Sequence, residues 1–217
     1  MDFLHSVVDF ILHIDKHLTD IVAQYHNQTY LILALIIFCE TGLVVTPFLP
    51  GDSLLFAAGA LAANEANELN VWIIIPLLVL AALAGDNTNY FIGRGLARKE
   101  VGAKLFGIFT VKREYIQKTH SFYEKYGPRT IIIARFVPIV RTFAPFVAGV
   151  GEMTYSRYIT YCVFGALLWV TLLTMSGYAF GNVPWVKANF EIVVLGIIGI
   201  SLLPMVIGIL RARMSKA

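Results

Sequence analysis

Four ionisable side chains stand in stretches that otherwise read as buried in lipid. Glu40 and Asp52 lie in "CETGLVVTPFLPGDSLL", and Arg135 and Arg141 in "ARFVPIVRTFAPF". An unpaired charge at the bilayer centre costs at least about 2.5–3.5 kcal/mol even on the lenient insertion scale, so such residues face one another or a wet cavity. The first stretch brings only acids and the second only bases. A salt-bridged core that merely holds the fold would explain them, but buried ion pairs stabilise poorly compared with apolar packing. A binding site explains them better. The arginine fork gives bidentate hydrogen bonds to phosphate oxygens that lysine cannot match. Helices beginning near Asp52-Ser53 and Ala144-Pro145 would turn anion-favouring N-termini toward the same place. Arg135, Arg141, Ser53 and Thr142 are therefore the candidate substrate-binding set. Glu40 and Asp52 are the candidate proton-coupling groups. Apolar walls favour the neutral form of a carboxyl group and nearby arginines favour the charged one, so protonating an acid would release an arginine to hold phosphate. "GDNTNY", polar for a span, adds Asp86, Asn89 and Tyr90 as candidates to line a cavity. Asp86 and Asn89 are three apart and share a helix face, and a hydrated helix end is the competing account of them.

The elements that must position these groups follow from composition. The chain has 217 residues, 58% hydrophobic and 14% charged, with a mean hydropathy of +0.72. That is a polytopic membrane protein. A spanning helix needs about 20 mostly apolar residues, and three stretches qualify: Val71–Gly93, Tyr155–Phe180 and Phe190–Leu210. Residues 30–63 are too long for one span and too short for two plus a turn, with Pro47, Pro50 and Gly51 at their centre. Residues 130–150 are interrupted by Arg135, Pro138, Arg141 and Pro145. Broken backbone at membrane depth is tolerated where protein or a wet cavity surrounds it, so both read as re-entrant helical hairpins. Two tilted spans are the alternative for the first. Residues 1–28 repeat apolar side chains at helical spacing opposite a charged face, as an interfacial helix does, and the basic linker 94–129 has room for another amphipathic helix. Asp9, His13 and His17 are four apart, but no fourth ligand is spaced to join them, and no metal is expected. Cys39 and Cys162 read as small core residues. Trp72, Trp169 and Trp185 read as interface anchors or packing, and Arg94 and Arg129 as snorkelling to the surface.

Lys and Arg concentrate in the linker 94–129 and in the tail (Arg211, Arg213, Lys216), which places both in the cytoplasm. The segment "NEANELN" has acids and no base and falls outside. The first hairpin then enters from the periplasmic face and the second from the cytoplasmic face, with the N-terminal helix periplasmic. Shifting the chain by 101 positions aligns Glu40-Thr41 with Arg141-Thr142. After a gap, Phe56, Ala58 and Gly59 align with Phe146, Ala148 and Gly149. The fold expected is all-α: two oppositely oriented re-entrant hairpins in an inverted repeat, about three full spans and amphipathic interfacial helices, in one domain over 1–217.

"FCETGLVVTPFLPGDSLLFAAGAL", "GDNTNYFIGR" and "ARFVPIVRTFAPFVAGVGEMTY" resemble the signatures of the DedA family of bacterial inner-membrane proteins, whose domain also occurs in eukaryotic lipid scramblases. The resemblance implies membrane transport linked to the proton-motive force and envelope integrity. Its implied cargo is a lipid phosphate, undecaprenyl phosphate or a phospholipid. It also implies functional importance for Glu40, Asp52, Arg135 and Arg141. A proton-coupled small-ion or drug antiporter is the alternative. A lipid-phosphate phosphatase is less favoured: a histidine-based one needs His within the spans, and His5, His13, His17, His26 and His120 all lie outside them. No catalytic residue, metal or cofactor is therefore expected, and the chain is not read as an enzyme. Membrane lipids and protons are the expected partners, with self-association left open. A net charge of +3 gives no support for nucleic-acid binding.

Overall fold

The computed structural model describes residues 28–42, 51–64, 67–98, 104–105, 109–110 and 127–214. The N-terminal interfacial helix, most of the basic linker, Pro47, Pro50 and the five histidines lie outside these. Helix α1 is Gln28–Gly42, α2 Gly51–Ala62 and α3 Val71–Arg98. A two-residue antiparallel ladder pairs β1, Lys104–Leu105, with β2, Phe109–Thr110. Helices α4 (Arg129–Ala134), α5 (Pro138–Val150), α6 (Tyr155–Phe180), α7 (Pro184–Ala188) and α8 (Phe190–Met214) follow. Among the described residues two helices, over Val71–Ala97 and Tyr155–Phe180, are long and apolar enough to cross a membrane. The third expected span falls in α8, 25 residues long, of which Phe190–Ser201 counts as an apolar helix shorter than a span among the described residues.

Local chemistry explains the boundaries. Asn70 caps α3 by accepting the Trp72 N–H at 2.9 Å on its side-chain oxygen, a preferred N-cap interaction. Its own N–H donates to the Tyr30 hydroxyl at 2.8 Å. Helix α3 runs beyond the expected Gly93 to Arg98, because polar side chains end a hydropathic stretch without ending backbone hydrogen bonding. The second broken segment differs from expectation. Its break falls at Arg135–Val137, α5 starts at Pro138, and Pro145 lies inside that helix. Proline at the first helical position gives up an N–H that would have no helical partner anyway. Pro145 costs one bond, to the Arg141 carbonyl, which surrounding protein can offset.

The chain divides into two compact units. One comprises Met1–Ile36, Phe48–Leu78 and Val170–Ala217; the other comprises Ile37–Pro47 and Val79–Trp169. Within the first, the buried row Leu54–Ala58 of α2 faces protein, and Phe56 meets Phe190 of α8 with ring centroids 5.9 Å apart. Within the second, Tyr90, Ile131, Ala148, Tyr158 and Cys162 form the core. Large apolar side chains such as Trp72, Ile73, Ile192, Leu195 and Ile200 in the first unit, and Ile133, Phe164 and Leu168 in the second, point outward. Water would penalise that surface, whereas hydrocarbon suits it.

Each unit, taken by itself, contains the same kind of helix contact. A Cβ on Gly59 would collide with the Thr174 carbonyl and one on Gly177 with that of Phe56; likewise a Cβ on Gly149 would collide with the Tyr90 carbonyl and one on Gly93 with that of Phe146. Backbone-to-backbone approach at small residues is how helices associate in lipid. Gly59 with Gly149, and Phe56 with Phe146, are equivalences already read from the sequence. The structure adds Gly93 with Gly177 and Tyr90 with Thr174.

Candidate functional site

Glu40 occupies the last turn of α1 and Arg141 the first turn of α5. Each charge meets the end of the helix macrodipole that repels it. What holds them is each other: Arg141 Nη2 donates to Glu40 Oε1, with residue exposures of 4% and 1%. The Arg141 guanidinium also lies 4.6 Å from the Trp169 ring centroid, a desolvated cation–π contact. A second pair lies in the same unit. Arg135, at the C-terminal cap of α4, donates from Nη2 to Asp86 Oδ2 on α3, and both residues are no more than 3% exposed.

The second pair sits in a polar nest. The Cys162 thiol donates to Asp86 Oδ2 at 3.3 Å, and Arg135 Nη2 lies 3.3 Å from the same sulfur. The Tyr158 hydroxyl donates to the Asp86 carbonyl at 2.9 Å. Among the described residues, Arg135 Nε and Nη1 are buried and meet no acceptor. Room for this side chain comes from Gly165, where a Cβ would stand 2.9 Å from Nε.

Asn89 is fully buried, and its amide Nδ2 is shared between the carbonyls of Thr41 and, at 3.4 Å, Thr142. Those are the two threonines aligned by the internal repeat, one at the C-terminal end of α1 and one in α5. The Thr41 hydroxyl is turned back to the Ile37 carbonyl at 2.8 Å. Tyr90 is buried as well, donating to the Met153 carbonyl at 2.5 Å and accepting from Arg94 Nη1. Asp86, Asn89 and Tyr90 are thus interior groups, and a hydrated helix end does not describe them.

Asp52 and Ser53 belong to the other unit, in the first turn of α2 as expected, and Asp52 Oδ2 accepts the Ser201 hydroxyl at 2.6 Å. Sequence reasoning missed Ser201, Tyr158, Cys162, Trp169 and Gly165. Tyr158 and Cys162 are four apart on α6, so a polar stripe was visible there, but it had no partner until Asp86 was placed. Arg94, half-buried, is held by Tyr90 and by the Met153 carbonyl at 3.3 Å, and Trp169, read as an anchor or packing, packs on Arg141.

A helical chain with an apolar exterior and ion pairs buried between broken and spanning helices is an α-helical membrane protein. Comparison with known proteins makes that specific. Residues 49–179 match the VTT domain. The chain is 56% identical to protein DedA of Escherichia coli over 217 residues, covering all of this chain and 98% of that protein. It is 41% identical to an uncharacterised membrane protein of Mycobacterium tuberculosis over 85% of this chain and 80% of the relative. The inner membrane protein YqjA of Escherichia coli is 34% identical over 73% of this chain and 70% of the relative. No solved structure matches. The chain belongs to the DedA family of VTT-domain inner-membrane proteins.

Proposed function

We propose that this protein carries a lipid phosphate across the membrane, as a flippase or scramblase linked to the proton-motive force in support of the envelope. The observation that carries the proposal is the Arg135 fork: one nitrogen is committed to Asp86, while Nε and Nη1 are buried without an acceptor among the described residues. A buried donor left unmet costs about 1–3 kcal/mol. A phosphate oxygen that arrives and departs would meet these donors only while cargo is bound. Arg141 supplies a second fork, tied to Glu40 until a proton on that carboxyl loosens it. Thr142 is a further substrate-binding residue of the unit that holds both arginines; in the other unit, Asp52 and Ser53 keep the roles read from the sequence, a proton-coupling acid and a substrate-binding hydroxyl. Undecaprenyl phosphate and phospholipids share the chemistry this site recognises.

In this proposal the segments 30–63 and 130–150 are re-entrant hairpins of an inverted repeat. Helix lengths support that: at 1.5 Å per residue, the 15, 12 and 13 residues of α1, α2 and α5 reach about 18–23 Å, short of a hydrocarbon core of about 30 Å. The repeated glycine contact supports it too. Basic linker and tail would be cytoplasmic, and the N-terminal helix and the acidic loop at Glu68 periplasmic. Cysteines introduced at 68 and 112 should label from opposite sides with an impermeant reagent, and labelling of both from one side would overturn the orientation.

Reconstitution in liposomes with candidate lipid phosphates, with and without a pH gradient, tests the transport itself. Movement of the lipid phosphate between leaflets, faster with a gradient, is the expected result. Release of inorganic phosphate from the lipid would instead favour a phosphatase, and proton-coupled movement of small cations alone would favour an antiporter.

A further inference from the structure

The face of α3 that carries Asp86 and Tyr90 continues one turn further to Arg94. There it opens on a cavity of about 420 Å³ lined by Phe91, Arg94, Gly95 and Tyr155. An arginine near the end of a span ordinarily extends toward water. This one is turned inward: Nη1 donates to the buried Tyr90 hydroxyl and to the Met153 carbonyl at 3.3 Å, with the guanidinium carbon 5.8 Å from the Tyr90 ring centroid. Among the described residues its other edge, Nε and Nη2, makes no hydrogen bond. Beside it the rings of Phe91 and Tyr155 stack at 5.4 Å and 29°, both exposed. The Tyr155 hydroxyl is tied to Asn87 at 3.0 Å, which holds that shelf in place. A fixed cation with a free fork, set against an aromatic shelf at the end of an apolar helix, is complementary to an amphiphilic anion: phosphate on the guanidinium, the start of an acyl chain on the rings.

We propose that this cavity binds the phosphate headgroup of a lipid at the membrane face where α3 ends, and that it is the waiting position from which lipid phosphate reaches Arg135. The second clause rests on the transport proposal above; the first does not. Arg94 and Asp86 are two turns apart, about 12 Å along the helix. The ring between them, Tyr90, stacks on Tyr158 at 4.2 Å and 15°, and Tyr158 donates to Asp86. The shallow and the deep guanidinium groups are therefore joined through one continuous set of aromatic and polar contacts.

Titration of the purified full chain in detergent with dioctanoyl phosphatidic acid tests the site, with dioctanoylglycerol and inorganic phosphate as controls. Arg94→Gln should weaken binding of the phosphatidic acid about tenfold or more, the loss expected for a hydrogen bond to a charged group. Phe91→Ala, at an exposed position whose ring meets Tyr90 edge-on with centroids 5.4 Å apart, should weaken it severalfold. Neither control should compete at equal concentration. Wild-type affinity in either variant would overturn the assignment, and so would equal competition by inorganic phosphate, which would mark an adventitious ion only. Arg135→Gln separates this site from the deep one: it should leave the Arg94-dependent binding intact while stopping transport. Transport that survives Arg135→Gln would remove Arg135 as the deep ligand, and absence of lipid movement by the wild-type chain, with Arg94-dependent binding intact, would sink the transport proposal and leave the cavity standing.

Discussion

Arg141→Lys is expected to fail nearly as badly as Arg141→Ala, in lipid-phosphate transport and in rescue of a strain lacking the protein. Lysine keeps the charge and can still meet Glu40, so a simple counter-ion role would survive the change. It loses the planar fork and its lie over Trp169, where the guanidinium stands 4.6 Å from the ring centroid. Bonds from a charged fork to phosphate are worth about 1.5–3 kcal/mol each, so losing one lowers affinity about tenfold to a hundredfold. Glu40→Gln makes the opposite change. It imitates a permanently protonated acid, so Arg141 is released, and the variant should bind lipid phosphate while losing its response to a pH gradient. If the protein were a cation/proton antiporter, the pattern would invert: Arg141→Lys would stay largely active and Glu40→Gln would lose its substrate. A lysine variant with near-normal lipid transport would remove lipid phosphate as the cargo.

That Glu40 meets an arginine was readable because hydrocarbon leaves isolated charges few alternatives, and the offset that aligned Glu40 with Arg141 named two residues that touch; Asp52, expected to meet the other arginine, is instead shown on Ser201. Which other acid meets Arg135 was not readable. Asp86 looked equally like a solvated helix end, since the depth of a residue in a 28-residue helix depends on what packs around it. Cys162 and Trp169 were hidden for a related reason. Each sits in an apolar run where a core residue and a site residue look alike, and only the placement of an arginine beside it tells them apart. The second break was misplaced because Pro138 and Pro145 both read as breakers. The difference lies in register: Pro138 starts a helix and gives up nothing, whereas Pro145 sits two turns in, where one carbonyl loses its donor.

The Asp86–Arg135 pair should reveal itself by a different signature, one that separates its structural role from its role toward cargo. Asp86→Asn leaves Arg135 charged, no more than 3% exposed, with Nε and Nη1 already lacking acceptors among the described residues. Removing one partner of a buried ion pair costs about 3–5 kcal/mol, because the remaining charge is uncompensated. A marked fall in the melting temperature of the full chain in detergent is therefore expected. Arg135→Gln in the same background removes that orphaned cation, so the double variant should recover much of the lost stability, as double-mutant cycles show for residues in contact. Function should not follow stability. If Arg135 serves only to neutralise Asp86, the recovered double variant will transport again. If its fork holds the phosphate, the double variant will be folded and inactive, and that combination of restored melting temperature with absent lipid movement is the expected result. A double variant that is both stable and active would reduce this pair to a structural element and leave Arg141 as the sole candidate phosphate ligand among the described arginines of the buried site.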